Sequence, residues 1–426
     1  MKSRISQLLM LSALIAGNLV AVDTLAQDLS EGRLKSRLLF AAVEGDGIDD
    51  DDDFQRHYFD WKFDYKYRSD DWNFGTIINT SSEKDRRLEL EQIFITKTNF
   101  FDFKATSLSI GRKRQKDELT HWWDSDLEGI DIAFRRTLLN GTVSLSQKRP
   151  EYLVDESDDQ SEDDDEEIYR LFGKVSLQHA PRHFLETRWH VQTDESDNSA
   201  IELEKFDGIW LGARAKGGDE NVFFYSAELI GQRGNATLEA SADEQSAVEQ
   251  DVASWASLLE VSRAFADNSI VLGLLWHRTS SGSAGSKSGF RPTGIGSMSY
   301  RSPVLSVSPH RYGDASRFEL NNVDIKGVYI EYGHNSFSSL LSFTSLERID
   351  DTDQVIASQI NAPLVDGVSD LGYNLDVAAS KKWDGSRFNV DAFELRLRWG
   401  NFVPGRAYGS ADDIQSRIQL EFISRL

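Results

Sequence analysis

The chain of 426 residues contains no cysteine. That excludes a disulfide framework, a zinc ribbon and any thiol nucleophile. It also lacks an excess of base: 47 Lys and Arg stand against 70 Asp and Glu, a formal net charge of -23. Nucleic acid is a poor partner for such a chain, because neutralising phosphates needs a basic face. After the first two dozen residues no apolar run approaches the roughly 20 needed for a spanning helix. The mean hydropathy of -0.45 looks soluble, but that average is blind to strands whose two faces differ.

What is present begins with an export signal. Met1-Lys2-Ser3-Arg4 leads into an apolar stretch from Leu8 to Val22 and then Thr24-Leu25-Ala26. A charged start, an apolar centre and small residues before the cut predict a signal peptide over 1–26, cleaved after Ala26. Residues 27–426 then form a single domain. Much of the acid sits in two runs: Glu44 to Asp53 carries seven carboxylates and Glu151 to Glu167 eleven, neither with a base. Such blocks repel themselves and stay solvated, so both are expected to be loops. Neither has the residue order of an EF-hand, so loose association of divalent cations is expected there rather than a built calcium site.

Between these runs the sequence alternates with period two. In Phe54 to Arg68 the positions Phe59, Trp61, Phe63, Tyr65 and Tyr67 interleave with Asp60, Lys62, Asp64, Lys66 and Arg68. One face suits hydrocarbon and the other water. Phe393, Leu395, Leu397 and Trp399 interleave with Glu394, Arg396 and Arg398, and Leu371, Tyr373, Leu375 and Val377 with Asn374 and Asp376. About 18 such segments run from 33–42 to 415–426, with 86–97 and 126–135 the weakest. Short and long connections between them alternate strictly, as they do when one barrel rim bears turns and the other loops. The fold class is therefore all-β: a transmembrane antiparallel β-barrel of the outer membrane, with termini on the periplasmic, short-turn rim. Outer-membrane lipid and lipopolysaccharide are its surroundings.

In a barrel the lumen face sets selectivity. Parity puts Lys62, Lys66, Arg68, Arg112, Arg188, Arg214, Arg396 and Arg398 there, with Asp60, Asp64, Glu186, Glu228, Glu260, Asp376 and Glu394. Fixed guanidinium groups between low-dielectric walls attract carboxylates or phosphates, and interspersed acids keep a polyanion from binding too tightly to leave. The same charges would also serve as ion-pair networks bracing a wide barrel. Parity leaves both readings open.

Four stretches resemble the alginate export family of outer-membrane porins. They are Gly111-Arg112-Lys113-Arg114-Gln115 followed by Trp122 to Glu128, then Gly289 to Gly294, His310-Arg311-Tyr312-Gly313, and Leu397 to Gly409. They occur in the family's order. The resemblance implies an 18-stranded barrel that passes anionic polyuronate, acts as a monomer and needs no cofactor. It also implies a positively charged constriction, built from strands and from an inward-folded loop. By motif Arg112, Arg291 and Arg396 match its arginines, and Arg114, Arg311 and Arg398 are further candidates. The family carries another arginine shortly after its FRxTG stretch, where this chain has Tyr300 with Arg301 beside it. Loop arginines such as Arg291 and Arg311 would alternatively pin the loop to the wall.

Nothing in the sequence argues for catalysis. The eight His are scattered, and Pro181 between His179 and His183 spoils their helix-like metal spacing. Gly282 to Ser288 imitates a phosphate loop without its second glycine, and no G-x-S-x-G occurs. The expected function is a non-enzymatic channel for an anionic, uronate-type saccharide. A general or small-anion porin, a barrel hydrolase and a surface adhesin are the alternatives.

Overall fold

The computed structural model describes residues 32–47, 54–82, 86–100, 105–148, 152–155, 167–195, 205–219, 223–238, 248–265, 269–281, 289–302, 304–360, 362–388, 390–409 and 414–426. The expected signal peptide, most of both acidic runs and the Gly282 to Ser288 stretch lie outside these residues. The first strands are β1 (Gly32–Asp46), β2 (Phe54–Arg68), β3 (Trp72–Ser82), β4 (Arg86–Thr98), β5 (Thr106–Lys116), β6 (Asp124–Arg135), β7 (Leu139–Gln147), β8 (Tyr152–Asp155) and β9 (Ile168–Ala180). Then follow β10 (His183–Asp194), β11 (Lys205–Asp219), β12 (Phe223–Leu238), β13 (Val248–Phe265) and β14 (Ile270–Thr279). The last are β15 (Val323–His334), β16 (Phe337–Arg348), β17 (Asp370–Asp384), β18 (Ala392–Pro404) and β19 (Gln415–Arg425).

All the pairings are antiparallel, and β1 pairs with both β2 and β19, so the sheet closes on itself. At the seam the amide of Ser36 donates to the carbonyl of Leu426 at 3.1 Å, and the reverse bond measures 2.9 Å. Eighteen strands form the wall, each overlapping one of the segments expected from the sequence. The four-residue β8 is the addition: it pairs with Arg87 to Glu89 of β4, while β5 pairs with β4 only from Ile93 to Thr98.

The alternation separates two solvents. On β12, Leu229 is 64% exposed and its neighbour Glu228 only 2%. A soluble fold would reverse these numbers; here the apolar face looks outward and the charged face inward, as a membrane-spanning barrel requires. The pattern slips at one glycine. Gly372 has φ +105°, and the β16–β17 register shifts beside it. The bulge turns Leu371 inward, where it is fully buried, although simple parity groups it with the outward Tyr373.

The rims are sorted, though not strictly. Two-residue turns follow β9 and β15, and the other rim carries the connections 148–167, 280–322 and 349–369. However, only 83–85 join β3 to β4 on the loop rim, while 99–105 and 385–391 are long for the turn rim. Turn length follows local strand stagger as well as rim, so the expected strict alternation gives way at these three places.

Candidate functional site

The buried apolar core lies inside the barrel, because the segment 289–322 between β14 and β15 folds back against the lumen face. Phe290, Ile295, Tyr312, Phe318 and Leu320 from this segment pack with Trp122, Trp123, Phe172, Trp210 and Phe402. Polar contacts fix it to one strand after another. The carbonyl of Arg291 accepts from Trp210 Nε1 on β11 at 2.8 Å. Tyr300 donates its hydroxyl to Glu331 on β15, and the hydroxyl of Tyr312 meets His277 Nδ1 on β14 at 2.7 Å. On β17, Asp376 Oδ1 accepts from the amide of Asp314 at 2.7 Å and Asn374 Nδ2 donates to the carbonyl of Tyr312 at 2.9 Å. Gly313 makes this approach feasible: its φ is +112°, and a Cβ there would lie 2.3 Å from the Asn374 side chain.

A second inward segment, 117–123 between β5 and β6, closes over a buried charge network. Glu228 accepts from Trp122 Nε1 at 2.7 Å and lies 3.1 Å from His121 Nε2. Arg188 bridges Asp117 at 3.0 Å, Glu186 at 2.9 Å and Glu228 at 3.4 Å. Every group has an opposite charge, which buried ions require. These residues brace the wall and have no access to solute.

The water-reached side of the lumen is the other wall. Arg396 and Arg398 on β18 keep 20% and 16% of their side-chain surface, against none for Arg188. Arg396 pairs with Glu394 at 2.9 Å and Glu421 at 3.4 Å; Arg398 pairs with Glu421 at 3.3 Å and Asp314 at 3.6 Å. Farther along this wall Lys62 pairs with Glu91. The track is thus mixed in sign, with carboxylates beside each cation.

By the same measure Arg114 on β5 is also reached by water, keeping 44% of its side-chain surface, though it does not contact this pair. Arg112 is buried, with Nε donating to the Glu91 carbonyl at 3.1 Å and Nη1 3.8 Å from Glu128. Arg114 pairs with Asp124 at 2.9 Å and Asp126 at 3.1 Å, and Arg301 shares Asp124 at 2.5 Å. Arg291 lies with its guanidinium 5.1 Å above Phe206. Arg311 is buried over the Tyr300 ring and pairs with Glu260 at 2.9 Å. Burial lowers the pKa of Arg311, but Glu260 together with Tyr312, Tyr300 and Tyr329 outweighs it and leaves the value raised. For Asp314 burial pushes up, but Arg398, the His310 amide, Arg317 and Arg417 together outweigh it, leaving its carboxyl below the usual range. Burial, then the Arg317 charge, lowers His310 to about 3.

Sequence reasoning missed six polar residues next to Arg398: Arg56, Tyr58, Arg317, Gln359, Arg417 and Gln419 line one cavity with it. The parity of β19 carried the signal for Arg417, since Ser416, Ile418 and Leu420 form its outward face. No periodicity marks Arg317 or Gln359, which sit in connections.

Comparison with known proteins agrees with this architecture. A family model described as alginate export matches residues 49–419. The alginate production protein AlgE of Pseudomonas aeruginosa is 27% identical over 378 residues, covering 82% of this chain and 76% of that protein. Its namesake from Pseudomonas syringae pv. tomato is 25% identical over 402 residues, covering 82% and 79%. Among solved structures, OccAB4 of Acinetobacter baumannii superposes with a TM-score of 0.58 at 10% identity, over 93% of this chain and 98% of that one. The outer-membrane protein OpdK of Pseudomonas aeruginosa gives 0.58 at 9% identity, over 93% and 99%. At such identities the solved structures speak for the fold alone.

Proposed function

This chain belongs to the alginate export family, and from that premise we propose that its lumen passes an alginate-like, uronate-type polysaccharide across the outer membrane, using arginines on the open wall. It is an outer-membrane channel and not an enzyme. The observation that carries the substrate reading is the pair Arg396 and Arg398, partly exposed to the lumen and sharing Glu421. A planar, permanently charged fork matches a carboxylate on a passing sugar. The shared carboxylate keeps that attraction shallow, so each sugar is released to the next position. Passage is passive, and its direction follows the gradient supplied from outside the barrel.

Single-channel conductance in a planar bilayer under a salt gradient, with and without oligouronate, tests this. Anion selectivity is expected, with blockade by oligouronate that weakens in Arg396→Ala and Arg398→Ala. Cation selectivity, or no conductance, would overturn it.

A further inference from the structure

At the turn rim the lumen face holds a cavity of about 390 Å³. Phe184, the second residue of β10, and Phe224, the second of β12, line it, with Gly217 and Gly218 of β11 between them. Parity turns both rings inward. Phe184 shares its side of β10 with the buried Glu186 and Arg188, and Phe224 shares its side of β12 with the buried Ser226 and Glu228. Both rings are only partly buried. Inward phenylalanines at a lumen mouth break the rule that sends apolar side chains towards lipid, and here two of them face one cavity.

The floor between the rings is backbone. Phe184 lies opposite Lys216 of β11, and Phe224 lies opposite Gly218. Gly218 has φ +116°, and a Cβ there would run into the Phe223 carbonyl, so the position takes no larger residue. The rings are thus two strand spacings apart, roughly 10 Å, which leaves room for one pyranose ring above the glycine. The volume agrees, lying within the roughly 300–1,000 Å³ of small-molecule sites.

Polar groups border the rings, and their charges cancel. Arg182 pairs with Asp219 at 2.6 Å, and Lys216 pairs with Glu118 from the inward segment 117–123 and with Glu186 at 3.1 Å. Each of these cations already has a carboxylate, so the cavity has no net pull on an anion. What remains is a set of donors and acceptors around flat apolar rings. A pyranose is the complement: its C–H groups gather on the faces of the ring and its hydroxyls on the edge. The faces suit an aromatic ring, and the hydroxyls suit charged groups of either sign. Lys216 Nζ lies 5.7 Å from the centre of the Phe184 ring, so a hydroxyl held by the ammonium brings the adjoining C–H face onto the ring.

We infer that this cavity is a stacking site for one sugar ring at the turn-rim mouth, which recognises the pyranose face and its hydroxyls and not a carboxylate. It rests on the reading that a saccharide passes through this lumen, and adds to it a station where neutral and acidic sugars bind alike. Since no net charge is involved, salt leaves the binding unchanged.

The test uses the refolded full chain in planar bilayers with β-1,4-mannotriose, a probe that carries no carboxylate. It should reduce the current saturably, and equally at low and high salt. Mannitol, which has the hydroxyls without the ring, should not. Phe184→Leu and Phe224→Leu keep the apolar bulk and remove the flat face, and each should weaken mannotriose binding by about tenfold. Phe184→Trp restores a flat face and should retain binding. Because the Leu variants lie on different strands, one reports even where the other fails to insert. Unchanged mannotriose binding in the inserted Leu variants, or blockade by mannitol of equal strength, would overturn the site. Absence of mannotriose blockade while oligouronate still blocks would also overturn it and leave the channel reading standing. If neither saccharide blocks the unmodified protein, the channel reading falls and the site with it.

Discussion

Arg311 Nη1 reaches Glu260 Oε2 at 2.9 Å, joining the inner segment to β13 with both side chains almost fully removed from water. Tyr329 donates to the other oxygen of Glu260 at 2.9 Å, so the carboxylate is held from two sides. The pair pins the inner segment to the wall, which is one of the two roles open to Arg311 from the sequence.

Glu260→Ala should therefore release the segment. Removing one partner of a buried pair leaves an uncompensated charge, at about 3–5 kcal/mol. The expected outcome is a noisier open current and faster proteolysis within 289–322, while the barrel remains folded because the strand pairings are untouched. Limited proteolysis in detergent reads this directly; an unchanged digestion pattern would refute the pinning role.

Acid should loosen the same segment. His310 titrates near 3 instead of 6.5, and Asp314 is held below its ordinary 3.8. Both pKa values are lower in the folded state, so both contributions are present above the ordinary values and are lost as pH falls, because the unfolded segment binds protons more readily than the folded one. For His310 the loss accumulates as pH falls from 6.5 towards 3, and for Asp314 as pH falls through its lowered value. Glu319, raised by burial, runs the other way and offsets part of it. Channel noise should rise between pH 6.5 and 3; quiet channels throughout that range would contradict the assignment.

Gly313→Ala should displace the turn that carries Asp314 and Arg317. The left-handed backbone and the 2.3 Å approach of a Cβ to Asn374 both oppose the methyl group. A cost of about 1–3 kcal/mol is expected, with a change in unitary conductance because the turn faces the open wall. Gly294→Ala is the control: it shares a positive φ of +71°, but a Cβ there meets no atom within 4 Å. Equal effects from both would mean that backbone strain alone, and not the Asn374 contact, sets the position of the turn.

The barrel was legible because a lipid face and a water face separate by a single residue, as Leu229 and Glu228 do. That rule fails where backbone inserts a residue: nothing in the local alternation announces that the bulge at Gly372 turns Leu371 inward. The inner segment was legible only through motif likeness, since its contacts join residues far apart in sequence. Asp314 meets Asp376, and Thr293 meets the Trp122 carbonyl. Pairing partners were equally hidden. Lumen arginines could be placed by parity, but which carboxylate neutralises each depends on strand stagger, and Arg396 shares Glu421 with Arg398 only because β18 lies against β19 in that register.

That shared carboxylate gives the sharpest test of how the open wall conducts. Glu421 accepts from Arg396 Nη1 at 3.4 Å, Arg398 Nη2 at 3.3 Å and Gln419 Nε2 at 2.8 Å. Glu421→Gln keeps the size and the acceptor oxygen while removing the charge that competes with a passing carboxylate. Anion selectivity should rise. Each oligouronate blockade should last about tenfold longer, since a hydrogen bond to a charged group is worth roughly 1.5–3 kcal/mol. Polymer flux should nevertheless fall, because a site that binds too tightly is slow to leave. The salt dependence separates this from a structural effect: added salt screens the exposed arginines and should shorten the variant's blockades towards those of the parent. If blockade lifetime and selectivity stay at parental values in Glu421→Gln, the carboxylate is a brace for β18 and β19, and the wall's cations are not what the polymer feels.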